Sequence, residues 1–250
     1  MATDIELLKA KAAAGDMSAV LALSTHYYNQ ENYTEALHWA EQAAQAGDPN
    51  GMVHAILLHS IFLMNAQDQR EWSILAEESA TVRRYCTELL RIHEEATEFR
   101  LYENIASDVR DALANARYYG AMAVFYLDNA DLREGLRLLE GMNSPRENVM
   151  RAILRLSLDE PGWSVMEVVV CVADEAYAAA PKARAEEGIY CIAVVIASQY
   201  HRDAGDLNQA VTLLKERLAH VVHENMADVI RQELARYRRR LFGGWKYVGD

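Results

Sequence analysis

Residues 12–50 read AAAGDMSAVLALSTHYYNQENYTEALHWAEQAAQAGDPN, and two features of this stretch decide the fold. Ala13-Ala-Gly-Asp16 returns 32 residues later as Gln45-Ala-Gly-Asp48. Between the two copies the apolar residues recur every three or four positions, at Leu23 and Tyr27, then at Tyr33, Ala36, Ala40 and Ala43. That period is helical, and the polar run Asn29–Asn32 interrupts it. The stretch therefore reads as a helix, a turn of about four residues and a second helix. Ala36 is the contact point, because two antiparallel helices joined by a short turn approach closely only where one side chain is small.

The block recurs along the chain. A shift of 99 residues gives Met122, Tyr126, Leu132, Gly135, Leu139 and Met142, and a shift of 174 gives Ala197, His201, Leu207, Ala210, Leu214 and Arg217. One hairpin cannot bury its own apolar faces, so neighbours must stack on it. Helix starts are marked throughout. Thr3-Asp-Ile-Glu6, Ser144-Pro-Arg-Glu147 and Ser164-Val-Met-Glu167 carry the capping-box pattern, in which a hydroxyl accepts from one orphan amide and the Glu reaches back to another. Asp48-Pro49, and Asn225 with Asp228, mark two further starts.

Alternation of period two is nearly absent. Leu132, Leu136, Leu138 and Leu139 form one helical stripe, and Leu207, Val211, Leu213 and Leu214 another. Val165–Val172 is strand-like in composition, but its cap and the following Ala-Asp-Glu-Ala-Tyr-Ala predict a buried helix. The expected fold is all-α. Hairpins are predicted at 17–46, 108–142, 145–179 and 182–222, with turns at Asp128–Ala130 and Asp203–Gly205. A leading helix covers 3–14, long helices fill 49–106, and a closing helix spans 226–241. Residues 66–106 contain neither Gly nor Pro and hold no clear repeat, so long helices with one break are expected there.

The pattern resembles the tetratricopeptide family, and its Sel1-like subgroup most closely. The residues that carry the resemblance are Ala13-Ala-Gly-Asp16, Ala19, Leu23, Tyr27, Tyr33, Ala36, Trp39, Ala43-Ala44 and Ala46-Gly47-Asp48. It extends over 12–62, 108–142 and 182–219, with Gly135 and His201 standing where the family has Ala and Tyr. The cysteine pairs that staple some Sel1-like repeats are absent. The resemblance implies a single domain over 1–250, an α-solenoid built as a right-handed superhelical stack of antiparallel helix hairpins, about ten helices in all. It also implies a protein–protein adaptor or scaffold whose concave side is lined by the first helix of each pair. The family's groove positions fall on Ser18, Thr25, Tyr28 and Asn29 in the first copy, Arg117, Val124 and Asp128 in the middle one, and Gln199, Arg202 and Asp203 in the last.

Composition narrows the partner. The 250 residues include 37 Asp or Glu against 25 Lys or Arg, a formal net charge of −12, with 51% hydrophobic residues. The apolar share fills a core and excludes a disordered chain, and the acid surplus argues against nucleic acid as a general partner. The excess is uneven: residues 1–214 hold 17 bases and 32 acids, residues 215–250 hold 8 and 5. Three cysteines, Cys86, Cys171 and Cys191, cannot pair completely, and the N-terminus lacks the basic and apolar runs of a signal peptide, so a cytoplasmic protein is expected. Residues 49–67 carry no Asp, Glu, Lys or Arg, but Asn50, His54, His59, Asn65 and Gln67 dilute the run, which reads as a buried helix and not a membrane span.

Local clusters offer little chemistry. His220-Val-Val-His223-Glu224 puts two imidazoles on one helix face, but zinc needs three or four ligands and a third is not evident. His93-Glu94-Glu95 and Glu98 lie in a Glu- and Arg-rich helix, where Arg91 pairs with Glu95 on a solvated face. Asp203-Ala-Gly-Asp206-Leu-Asn208 lacks the terminal Glu of a calcium loop, with Leu214 in its place, and reads as a turn with Asp206 capping the next helix. Gly243-Gly244 has no phosphate-loop spacing. Cys171 and Cys191 sit in apolar runs as small core residues.

At the C-terminus, Arg231, Arg236, Arg238, Arg239 and Arg240 end a helix ahead of an aromatic tail over 241–250 with Phe242, Trp245 and Tyr247. The cations suit a helix C-terminus. As a docking element the same stretch would anchor a partner through Phe242, Trp245 and Tyr247, with the arginines, Arg239 among them, steering an acidic one. The expectation is a non-enzymatic interaction module that binds a peptide or partner segment, with no catalytic residue, metal or cofactor, and with self-association left open. The rival readings are a chaperone or peptide sensor for one client, and a helical hydrolase or transferase with a convergent polar pocket.

Overall fold

The Gly-Asp pairs are joints between helices. The computed structural model describes residues 2–95, 101–128, 130–158, 165–239 and 244–249. Its first four helices are α1 (Ala2–Ala13), α2 (Met17–Tyr28), α3 (Tyr33–Gln45) and α4 (Pro49–Gln69). Gly15 and Gly47 take φ of +89° and +82°, the left-handed conformation that an unbranched backbone adopts without steric cost. Around Gly15, the Asp16 amide donates to Lys11 O at 3.0 Å and the Gly15 amide to Ala12 O at 2.9 Å, which closes α1. Asp16 then opens α2, its Oδ1 accepting from the Ser18 and Ala19 amides at 3.0 and 3.3 Å. Asp48 does the same for α4 through the Asn50 and Gly51 amides, at 2.8 and 3.0 Å. One residue stops a helix and the next starts another.

Two joints of the same kind lack glycine. Glu31 (φ +58°) precedes Asn32, which caps α3. Arg70 (φ +61°) ends α4 before α5 (Trp72–Glu95). The break expected somewhere in 66–106 is therefore at Arg70, where the Glu71 amide reaches back to Ala66 O at 2.9 Å. Leu101 and Tyr102, outside any helix, lead into α6 (Glu103–Tyr126).

The reading of one domain over 1–250 meets a chain whose contacts group into two compact units, 1–123 and 124–250. In the first, each of α1 to α4 packs on its successor, and α4 also touches α2. Ala12, Ala19, Val20, Leu23 and Ala43 form one core cluster. Ala36, Ala40, Ala44, Met52, Ala55, Leu58, Leu75, Cys86, Leu89 and Val109 belong to a larger one. Small residues bring α3 and α4 together: a Cβ on Gly51 would lie 2.5 Å from Ala43 Cβ and 2.6 Å from the Ala44 amide nitrogen. A buried ring ties three helices. His59 on α4 sets Nδ1 2.6 Å from Glu78 Oε2 on α5 and Nε2 3.2 Å from Glu41 Oε1 on α3.

The second unit contains α7 (Leu132–Leu138), α8 (Pro145–Ser157), α9 (Val165–Ala173), α10 (Glu175–Ala179), α11 (Arg184–Asp203), α12 (Leu207–Leu218) and α13 (Glu224–Ala235). Helix α11 is its axis, packing on α8, α9, α12 and α13. Gly135 on α7 faces Leu154 and Val124, with Leu154 Cδ1 3.0 Å from where a Cβ would stand. The expected capping box at Ser144 is present, the Ser144 amide donating to Glu147 Oε2 at 2.8 Å. Asp206 caps α12 as expected, through the Gln209 amide at 2.9 Å.

Several expectations need correction. Thr3 lies inside α1, not ahead of it, and Asn225 lies inside α13, whose N-cap is His223. The third capping box involves Ser164, which lies outside the described residues. Helix α9 buries Val168 and Val172 completely, but Val170 is 64% and Met166 42% exposed, so only one face is interior. The closing helix stops at Ala235 and not at 241. Beyond it, β1 (Tyr237–Arg239) pairs antiparallel with β2 (Trp245–Tyr247), with Arg238 opposite Lys246. Arg238 and Arg239 thus belong to a strand, and the helix-dipole account of them fails. Tyr237, 5% exposed, anchors this hairpin. Arg202 lies 4.7 Å over the Tyr247 ring and Lys215 4.5 Å over that of Trp245, so the tail packs on its own unit. Arg240 and Phe242 are outside the described residues.

Candidate functional site

Thr25, Tyr28 and Asn29, three of the four groove positions expected in the first copy, come together at the C-terminal end of α2. With Ser24 on α2 and His54, Leu57 and Leu58 on α4 they line a cavity of ≈ 260 Å³. The geometry follows from the joints: two antiparallel turns, at Asn32 and Asp48, return the chain so that α4 lies beside α2. Leu58 is buried, while Leu57 is 47% and Tyr28 36% exposed, so the wall is apolar and open to solvent.

Three of the polar side chains inside are engaged. His54 Nδ1 lies 3.3 Å from Ser24 Oγ, and Thr25 Oγ1 donates to Leu21 O at 3.1 Å. Burial pushes the His54 pKa below its ordinary 6.5, with Asp48 acting in the opposite direction. The imidazole is therefore neutral at pH 7. A depressed histidine favours the fold while neutral, and that contribution is lost as pH falls from 6.5 through the lower folded value. Melting curves at pH 7 and pH 5 should show a smaller acid-side loss in His54→Gln than in the wild type. Equal losses would remove His54 from the account.

The remaining expected site residues lie elsewhere. Ser18 is at the opposite end of α2, its Oγ donating to Asp16 Oδ1 at 2.6 Å as part of the cap. Arg117 and Val124 are on α6, half-buried, and Asp128 follows that helix, exposed. Gln199, Arg202 and Asp203 are on α11. Arg202 Nε donates to Asp203 Oδ1 at 2.8 Å, and its Nη1 lies 3.9 Å from Glu233, in the network that holds Tyr247. Arg239 is exposed on β1 and Trp245 half-buried on β2.

His54 and Leu57 were missed, although a signal existed. The 32-residue interval between the two Gly-Asp motifs carries Ala22 onto His54 and Thr25 onto Leu57. Applied to the groove positions, that interval finds Leu57 through Thr25, whereas His54 answers to Ala22, which was not among them.

Residues 124–250 hold a larger cavity, ≈ 780 Å³, with Arg137, Asn148, Arg151, Arg155, Met166 and Cys171 on its walls. Its guanidinium groups serve the fold. Arg137 binds Glu134 and Asp131 at 2.8 and 3.2 Å. Arg151 donates to Asn148 Oδ1 at 2.8 Å, to Leu139 O at 2.9 Å and to Met142 O, tying down the chain after α7. Nearby, Lys182 Nζ sits 4.5 Å from the Tyr177 and Tyr190 rings and donates to the Tyr177, Ala178 and Ala180 carbonyls, capping α10. Burial pushes the Glu186 carboxyl up against the pull of Arg146 and Lys182.

The clusters singled out in the sequence have structural partners. His223 Nδ1 lies 2.8 Å from Glu187 Oε2, while His220 is exposed. His93 Nδ1 accepts from the Leu101 amide at 3.1 Å, and Arg91 binds Glu95 and Glu88, each at 2.6 Å. Burial pushes the Cys86 and Cys191 thiols up to about 12, which leaves them un-ionised at neutral pH. Among the described residues, no group of three or more His, Cys, Asp or Glu could hold a metal ion, and no helix is long and apolar enough to cross a membrane. Compared with protein-family models, curated proteins and solved structures, the chain matches none.

Proposed function

We propose that this chain is a non-enzymatic interaction module, a helical-repeat scaffold of the tetratricopeptide and Sel1-like kind, that holds a segment of a partner protein in the α2/α4 groove. The observation that carries this reading is the groove itself. It is apolar, partly exposed, and built by the first helices of two consecutive hairpins. The repeat assignment draws support from the recurring Gly-Asp joints and from the alanines that let α3 approach its neighbours. The proposed stacking is right-handed and superhelical, and the proposed location is the cytoplasm, where free thiols persist.

Affinity capture tests the reading. Wild type is compared with Tyr28→Ala/Leu57→Ser, two changes at exposed side chains that leave the core intact. The variant is expected to lose a specific partner by roughly tenfold or more. Arg202→Ala serves as the contrast, because Arg202 is engaged at Glu233 and Tyr247 in the other unit. Equal recovery by wild type and the groove variant would remove the groove from the function.

A further inference from the structure

We infer that the partner segment is an amphipathic α-helix bearing Lys or Arg along its flanks; this inference rests on the groove being a docking site. Three independent observations support it. The first is shape. His54, Leu57, Ile61 and Met64 follow one another on α4 at intervals of three, four and three residues, which places them in one row. The row spans about 15 Å, and it continues past the cavity. Met64 is 60% exposed and Leu57 47%, while Ile61 is half-buried. A second helix laid along such a row meets it with residues of the same spacing.

The second observation is the state of the polar groups. An extended peptide brings an amide and a carbonyl at each residue, and each needs a partner once desolvated. Ser24 and His54 face one another, and Thr25 is bonded to its own helix, so Tyr28 and Asn29 remain as the polar side chains of the lining, too few for an extended backbone of several residues. The apolar row of α4 supplies no donor or acceptor beyond His54. A helical partner satisfies its own backbone and asks nothing of the groove.

The third is charge. Residues 12–69, which include all of α2, α3 and α4, contain no Lys or Arg, although the whole chain has 25. The same stretch carries Asp16, Glu31, Glu35, Glu41, Asp48 and Asp68, of which Asp16 and Asp48 also cap helices and Glu41 meets His59. An acidic segment would meet no cation there, whereas basic flanks would be attracted and their encounter accelerated.

The test uses three labelled synthetic peptides, each four helical turns long with a leucine face. One has Lys flanks, one has Glu flanks, and one is the Lys peptide with a central Pro that breaks the helix. Fluorescence anisotropy is read on the full chain and on Leu57→Ser/Met64→Ser, with circular dichroism confirming that the variant is folded. The Lys helix is expected to bind at least roughly tenfold tighter than either other peptide, to weaken severalfold between about 0.05 and 0.3 M salt, and to lose roughly tenfold on the variant. Glu or Pro peptides that bind as well as the Lys helix, but lose affinity on the variant, overturn the inference and leave the groove reading standing. Lys-peptide binding that ignores the variant, or no binding by any of the three, overturns both. Self-association of the unliganded chain that the variant abolishes puts a second copy on the row and likewise sinks the inference.

Discussion

Gly51→Ala is expected to cost about 3 kcal/mol and to displace the first turn of α4. The new Cβ would lie 2.5 Å from Ala43 Cβ, 2.6 Å from the Ala44 nitrogen and 2.7 Å from the Ala43 carbonyl carbon. Two of these three atoms are backbone, so no rotamer change relieves the clash. The joint allows little retreat, because Asp48 already fixes the Gly51 amide at 3.0 Å and Pro49 fixes the entry into the helix. Helix α4 must therefore move away from α3, which opens the core around Ala40, Ala44, Met52 and Ala55. The His59 link to Glu41 would stretch with it, and the groove would lose its α4 wall. A urea titration should show a lower midpoint for Gly51→Ala. An unchanged midpoint would mean that α3 and α4 are not in contact at this point.

The second large effect is expected at Glu187. Its side chain on α11 is only 3% exposed and serves the turn that leads into α13. Oε1 accepts from the Val222 amide at 2.9 Å and Oε2 from the His223 amide at 2.8 Å, while the His223 ring approaches Oε2 at the same 2.8 Å. The turn thus takes its hydrogen bonds from a residue about thirty-five positions earlier, not from a local cap. Glu187→Ala leaves both amides without an acceptor and is expected to cost about 3 kcal/mol. Glu187→Gln keeps one acceptor and should cost less. Hydrogen exchange locates the damage: amides of α13 should lose protection, while those of α2 to α4 keep theirs. Unchanged protection in α13 would show that water replaces the carboxylate without penalty.

These two residues also show what the sequence could and could not convey. Gly15 and Gly47 were legible because the joint is local: the left-handed residue, its cap and the amides they serve all lie within six positions. The hairpins at 17–46 and 182–222 were legible for the same reason. Glu31 and Arg70 were not, since nothing in Glu or Arg announces a left-handed backbone, so the break in 66–106 had no visible address. The His59 clamp joins residues on three helices, and Glu187 reaches across the second unit; neither has a local period. The C-terminal hairpin was missed because three-residue strands are too short to show alternation. What ties it to the second unit is the burial of Tyr237 and the placing of Arg202 and Lys215 over the Tyr247 and Trp245 rings. Half of the groove was in view, the α2 side, because the resemblance supplied its positions there. On the α4 side the interval of the Gly-Asp motif reaches Leu57 alone, because Ala22, which answers to His54, was not a groove position.

The buried thiols have a use that packing alone does not suggest. Cys86 lies in residues 1–123 and Cys191 in residues 124–250, both fully buried and unpaired. A thiol reagent reaches either one only when its own unit opens. Cys171, half-exposed, reacts without such an opening and calibrates the reagent. The chain therefore carries one built-in clock for each body, and the modification rates at Cys86 and Cys191 separate the opening of the groove-bearing half from that of the other without any added label.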